Sequence, residues 1–407
     1  MKTKSDIVII GGGIVGLSLA YQIVNRKITS NITVIDKEKN LGMHTSGRNS
    51  GVLHSGIYYP SNSLKAKVCK SGSERLKSWI KERNLSINEC GKIILPTNKD
   101  LDYQLDVLHE RGINNGSKVE IIDNKKIQMI IPECKSITNR AIWSPNTAVV
   151  KPSEIINSLK SELENKGVKF MLGEKINNIL SSKNQIQLNN GKVLSFSYMI
   201  NASGTSALRI AKYFEVGLNY RLIPFKGLYW QLKKDCPFKP RCNLYPVPDL
   251  KLPFLGVHFT PSADKIPTIS IGPTATLAFG KENYYGLDKI EPINSVANIS
   301  TLLKQYLFDK GGFKKYFHEQ ALLSLLPFMI NSARKLIPSI ELKHVEISKK
   351  VGIRAQLFDI DESKLENDFV CISKDKSIHI LNAISPAFTS SFALADEIIN
   401  NYVLNIK

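Results

Sequence analysis

At 407 residues the chain is too long for one ordinary hydrophobic core, so two domains are expected, and a composition that is 43% hydrophobic and 22% charged is that of a folded globular protein. The net charge of +19, from 55 basic and 36 acidic residues, could attract anions, but the lysines are spread along the chain rather than gathered in one tract, so no nucleic-acid partner is expected. Six cysteines without a CxxC pair and seven histidines without an HExxH leave a metal site unsupported and make a reducing, cytoplasmic setting the expectation.

Residues 6–10 (DIVII) are a continuous apolar run, the pattern of a parallel strand buried on both faces. Three glycines follow, then apolar residues at helical spacing over 14–24, then a second strand over 31–35 that ends at Asp36. Lys2 and Lys4 imitate the start of a secretory signal, but Asp6 and the glycines interrupt what a signal keeps apolar. Further along, 152–166 reads as a helix with Ser153 as N-cap and Gly167 as stop, and 168–172 and 176–180 read as strands. Another strand over 198–201 runs into Ala202-Ser203-Gly204 and a helix over 206–214. Short strands broken by prolines over 221–280 indicate an antiparallel sheet. Residues 296–333 read as largely helical with a break at Gly311 and Gly312. Their longest apolar run, 321–330, is interrupted by Ser324 and Pro327 and is about half of a bilayer span. The expected class is α/β: a discontinuous Rossmann-like domain over 1–90, 145–220 and 335–407, with an inserted α+β substrate domain over 91–144 and 221–334 built on the antiparallel sheet.

Gly11-Gly12-Gly13-Ile14-Val15-Gly16 fits GxGxxG between a predicted strand and a predicted helix. Gly11 permits the tight turn, Gly13 lets the backbone approach a pyrophosphate, and Gly16 lets helix and strand pack closely. The N–H groups of Ile14 and Val15 then belong to a helix N-terminus that attracts phosphate. Asp36, followed by Lys37, lies where a carboxylate accepts bonds from ribose hydroxyls. Three features favour FAD over NAD. The segment 45–56 (TSGRNSGVLHSG), with Thr45, Ser46, Asn49, Ser50, Gly51 and Val52, is small enough for a flat flavin ring to lie on its backbone. Ala202 and Gly204 end a second strand beside the nucleotide. Pro386, Ala387, Phe388 and Thr389 open the last helix, whose N-terminus can stabilise charge on a reduced flavin.

Taken with 244–249 (LYPVPD), 255–261 (LGVHFTP), 271–279 (IGPTATLAF), 352–359 (GIRAQLFD) and 382–395 (NAISPAFTSSFALA), these segments make the chain resemble the L-2-hydroxyglutarate oxidase/dehydrogenase family, within the group of D-amino-acid oxidase and glycerol-3-phosphate dehydrogenase. The resemblance covers nearly the whole chain. It implies a Rossmann-like FAD-binding domain, with Ile176 among the cofactor contacts, and oxidation of a 2-hydroxy acid beside an antiparallel sheet. Electrons would pass to a quinone or oxygen. The chain departs from the family at Lys226-Gly227-Leu228-Tyr229, where an Arg-Gly-Glu-Tyr type is usual, at Lys151 in place of an acid, and at Arg48 in place of a histidine.

The chemistry needs a base near neutral pH, which a histidine supplies. His54, between 49–51 and Gly56, is the first candidate, and His258 the rival. Arg354, with apolar neighbours, is the expected carboxylate clamp and a flavin contact, unless an ion pair with Asp359 or Asp361 occupies it. Tyr59, Lys226, Tyr229 and Tyr245 are weaker substrate contacts, with Lys226 assigned a distal carboxylate. An amino-acid or amine oxidase and a glycerol-phosphate dehydrogenase stay open; a phosphate would suit surplus cations at Lys226 and Lys151. An FAD protein that binds tRNA is the alternative of another class. The stretch 302–315, which mixes Leu, Phe and Tyr with Lys304, Lys310, Lys314 and Lys315, suggests a peripheral position on an anionic membrane surface.

Overall fold

A computed structural model describes residues 2–249, 256–309 and 313–404. The first strand, Lys2–Ile10, pairs in parallel with Ile32–Asp36 on one side and with Val193–Asn201 on the other. Its alternating residues enter two different cores. Ile7 and Ile9 meet the helices Ile14–Asn25, Leu64–Glu82, Pro152–Asn165 and Ala387–Ile398, whereas Val8 and Ile10 meet the short helix Ala207–Ala211 and the strands beyond it. Burial on both faces is why DIVII carries no polar alternation. The sheet extends through Lys169–Leu172 at one edge and Ile176–Leu180 at the other. Val193–Asn201 is longer than expected because its first half pairs with Gln185–Leu188 and its second half with Ser377–Ile380.

A second, ten-stranded sheet faces this nucleotide-binding part. Its spine is the antiparallel pair Tyr220–Leu232 and Val345–Asp359. It is mixed rather than antiparallel throughout: Asn243–Pro246 runs parallel to Lys92–Leu95. Lys92–Leu95 arrives from far upstream in sequence and can pair in either direction, which a reading of 221–280 alone does not register. The strand Val345–Asp359 lies in the range assigned above to the nucleotide-binding domain, yet it pairs along its length in the second sheet, so the two parts exchange more chain than that outline allows.

Local corrections have simple causes. Pro152, not Ser153, opens its helix, because proline fits the first helical position, and Lys151 is the cap residue. Gly167 does stop that chain segment, with φ of +86°. The helix expected over 206–214 is a single α-turn region, Ala207–Ala211, flanked by 3-10 turns. The apolar run at 321–330 divides between Phe313–Leu323 and Leu326–Arg334. The break expected at Gly311 and Gly312 lies outside the described residues, as do Leu255, Lys310 and the side chain of Lys315.

Candidate active site

A cavity of about 660 Å³ runs from the first βαβ unit to the second sheet. At its nucleotide end the turn after the first strand is held by Asp36, whose carboxylate accepts from the Gly12 N–H at 2.7 Å and the Glu38 N–H at 2.9 Å. Gly11 takes φ of +108°, and a Cβ there would lie 2.4 Å from the Ala202 carbonyl oxygen. A Cβ on Gly16 would lie 2.0 Å from the Gly11 oxygen. Ser46 accepts from the Ile14 N–H at 3.0 Å. The helix Ile14–Asn25 begins with no acid in its first turn and no side-chain cap from Gly13, so its positive end faces the cavity. Asn49 shapes the neighbouring loop by donating to the Thr45 and Ser46 carbonyls and accepting from Gly51.

A second helix N-terminus, that of Ala387–Ile398, also lacks a side-chain cap and lines the same cavity through Pro386, Ala387, Phe388 and Thr389. Thr389 links it to the strand Val52–Leu53, accepting from the His54 N–H at 3.1 Å and donating to the Val52 carbonyl at 3.3 Å. His54 is thus fixed beside this helix end. Its Nδ1 is buried without a partner, an orphan that a bound group can satisfy. Two helix N-termini and an unpartnered imidazole around one elongated cavity fit a flavin dinucleotide.

At the other end, His258 donates from Nδ1 to the Gly256 carbonyl at 2.9 Å. A carbonyl only accepts, so Nε2 carries the lone pair. The His258 ring stacks on Tyr245 with centroids 3.9 Å apart. Both histidines are held neutral. Burial pulls the His54 imidazole well below its usual range, and Lys92 and His258 add to this. Burial also pulls His258 down to about 3, against its bond to Gly256 and helped by Lys92. Arg354, opposite Phe225 in the sheet, donates from Nε to Gln356 at 3.1 Å. Asp359 is engaged elsewhere, accepting from the Asp361 and Glu362 N–H groups and from Asn219. The only carboxylates lining the cavity, among the described residues, are Asp36 and Glu174 at the nucleotide end.

The cavity brings together His54, His258, Arg354, Tyr229 and Tyr245 with Gly11, Gly13, Ile14, Val15, Asp36, Lys37, Thr45, Ser46, Asn49, Ser50, Val52, Ile176, Ala202 and Gly204. Gly16 and Gly51 support its walls from behind. Two expected substrate contacts lie elsewhere. Phe225, Gly227 and Tyr229 face the cavity, so the alternation of the strand turns Lys226 to the other side, where its Nζ meets Asn283 at 2.9 Å. Tyr59 lies behind the wall, hydrogen-bonded to Ser385. Lys151 is paired at the surface with Asp264 at 2.8 Å and Glu154 at 3.4 Å. Neither of the two lysines offered to a phosphate therefore reaches the site. Residues that the sequence did not single out are Gln320, Thr274 and Arg209 on the lining, and Lys92 behind it. At the nucleotide mouth, Lys37 and His44 join Glu38 and Glu282, and Arg48 covers Tyr284 at 4.1 Å.

The family model of FAD dependent oxidoreductases matches residues 6–400. The mitochondrial L-2-hydroxyglutarate dehydrogenase of Bos taurus is 33% identical over 423 residues, covering 98% of this chain and 89% of that protein. Its counterpart in Caenorhabditis briggsae is 33% identical over 421 residues, covering 99% and 94%. Among solved structures, the dithionite-reduced L-alpha-glycerophosphate oxidase from Mycoplasma pneumoniae, with FAD bound, superposes with a TM-score of 0.75 at 19% identity, covering 99% of this chain and 95% of that one.

Proposed function

Because this chain belongs to the family of FAD-dependent oxidoreductases, we propose that it oxidises L-2-hydroxyglutarate to 2-oxoglutarate. The observation that carries the reading is the charge layout of the substrate end, where Arg354 and two neutral imidazoles line the cavity and, among the described residues, no carboxylate does. FAD, when bound, supplies the acceptor for the C2 hydride. The guanidinium of Arg354 grips the C1 carboxylate and fixes which way C2 faces. His54, beside the helix end that borders the flavin, takes the hydroxyl proton. A specific observation favours His258 as the rival base: its tautomer is fixed with Nε2 free to accept. With Lys226 turned away, the distal carboxylate falls to neutral donors, and Gln320 and Thr274 line the cavity for that role.

The test is anaerobic mixing of the yellow protein with L-2-hydroxyglutarate, its D-enantiomer, L-lactate, sn-glycerol 3-phosphate and amino acids. L-2-Hydroxyglutarate should bleach the flavin fastest. Bleaching by an amino acid or the phosphate, and by neither 2-hydroxy acid, would overturn the assignment. In steady-state turnover Arg354→Met should lower kcat/KM by about two powers of ten, the effect of removing a charged partner from a carboxylate.

Electrons would leave to a quinone or oxygen, and the surface favours a membrane-bound acceptor. No helix among the described residues is long and apolar enough to cross a bilayer. Yet the helix Pro292–Leu307 buries Ser295 and Asn298 alongside Leu302, while Ile293, Val296, Leu303 and Leu307 are exposed at helical spacing. Phe308, Phe317, Leu325 and Phe328 continue this apolar exposure onto the next two helices, with Lys304, Lys314 and Lys335 exposed among them. An anionic lipid surface matches both the apolar stripe and the cations. The protein should pellet with anionic vesicles at about 0.01 M salt and leave them at about 1 M, as the Debye length shrinks from about 30 Å to about 3 Å. Recovery wholly in the supernatant at low salt would remove the membrane from the proposal.

A further inference from the structure

Lys92 opens the strand Lys92–Leu95 and is 1% exposed. Its place follows from register. Lys92 sits opposite Asn243, Tyr245 lies two residues further along that neighbouring strand, and Leu244 pairs with Phe259, which sets Tyr245 across from His258. The three side chains therefore form a row on one face of the sheet. Lys92 Nζ lies 4.4 Å from the Tyr245 ring centroid. His258 already covers one face of that ring at 3.9 Å, so the ammonium occupies the other. Tyr58 provides a second ring at 5.1 Å.

Among the described residues, the acidic neighbours of Lys92 are weak ones. The ionisable neighbours of Lys92 are the thiols of Cys69 and Cys90, and burial pushes both upward, Cys69 to about 12, so they stay neutral. Burial likewise pushes the phenols of Tyr58, Tyr229 and Tyr245 upward. Among the described residues no carboxylate pairs with Lys92; the other cations nearby are Arg354 on the cavity wall and the buried Lys65, which also neighbours Cys69 and has Asp368 beside it. With no carboxylate among the described residues beside Lys92, protonating a second of the three buried bases Lys92, His54 and His258 meets desolvation and repulsion together.

We propose that Lys92 is a positioning residue for the proton chemistry of this site: its amine is protonated before the two imidazoles, and its charge adds to burial in keeping His54 and His258 as bases. This rests on the proposed role of a histidine base, whichever of the two it is. Burial lowers Lys92 to about 7, still above both imidazoles, so on falling pH the lysine is protonated first and its charge then resists protonation of the rings. Two unit charges about 8 Å apart across the phenol, at an effective dielectric of about 20, correspond to a shift of about one to two pH units.

The experiment is a pH titration of the FAD-loaded protein without substrate, followed by NMR of histidine labelled at Cε1, with His54→Asn and His258→Asn used to assign the two resonances. In the native protein both should stay neutral to well below pH 6.5. In Lys92→Met the titration of at least one should move up by about one unit or more, and Lys92→Arg should keep both low. The acid limb of anaerobic flavin reduction should move with it. Lys92→Gln, which keeps a polar end, serves if the methionine variant does not fold. Unchanged histidine titrations in a folded neutral variant, or a charged His54 or His258 at neutral pH in the native protein, would overturn the proposal. Failure of the substrate assignment alone would leave these titrations as expected.

Discussion

Gly13→Val is expected to give a folded, colourless protein whose affinity for FAD falls by at least about 100-fold, or about 3 kcal/mol. The three fingerprint glycines differ in what a side chain would meet. At Gly11 and Gly16 a Cβ strikes backbone oxygens at 2.4 Å and 2.0 Å, and Gly11 also has positive φ, so substitution there would damage the fold itself. At Gly13 the backbone is extended, with φ of −81° and ψ of 177°, and a Cβ approaches only the hydroxyl oxygen of Ser46, at 2.9 Å, and its Cβ, at 3.9 Å. Valine fits that conformation, and its methyl groups enter the cavity where a pyrophosphate would approach the helix end. Circular dichroism should match the native protein, while acid release should yield little FAD. A variant that purifies yellow, with FAD at native occupancy, would contradict the placement of the dinucleotide along this turn.

The nucleotide half of the molecule was legible because its constraints are local. A strand buried on both faces writes itself as DIVII, and a turn that admits no side chain writes itself as glycine. Asp36 follows at a distance set by one helix and one strand. The substrate half was less legible because its contacts depend on register between distant strands. Lys226 reads as a pocket cation until the alternation of Phe225, Gly227 and Tyr229 assigns that face to the cavity and the lysine to the reverse. Lys92 draws no notice in the sequence, since nothing near it shows that Asn243–Pro246 will pair beside it and bring Tyr245 over its amine. Gln320 belongs to a helix whose neighbours in the chain are largely exposed, so no periodicity marks it as a lining residue.

His54→Ala should slow anaerobic flavin reduction by about 10²- to 10⁴-fold, the usual contribution of a positioned general base. The position supports this size of effect: Thr389 ties the His54 backbone to the helix end that borders the cavity, and burial with the nearby Lys92 keeps the ring neutral. A base whose affinity for protons is depressed remains active through neutral pH, so the native rate should be flat there and decline only as acid protonates the ring. Rapid mixing is the appropriate measurement, because steady-state turnover can report reoxidation instead. His258→Ala separates the two candidates. Its Nε2 accepts and its ring rests on Tyr245, so if His258 only orients substrate its loss should raise KM more than it slows reduction. A His54→Ala protein that is fully loaded with FAD and reduced at the native rate, beside a His258→Ala protein slowed by the full factor, would transfer the base to His258. It would leave His54 as a structural neighbour of the flavin.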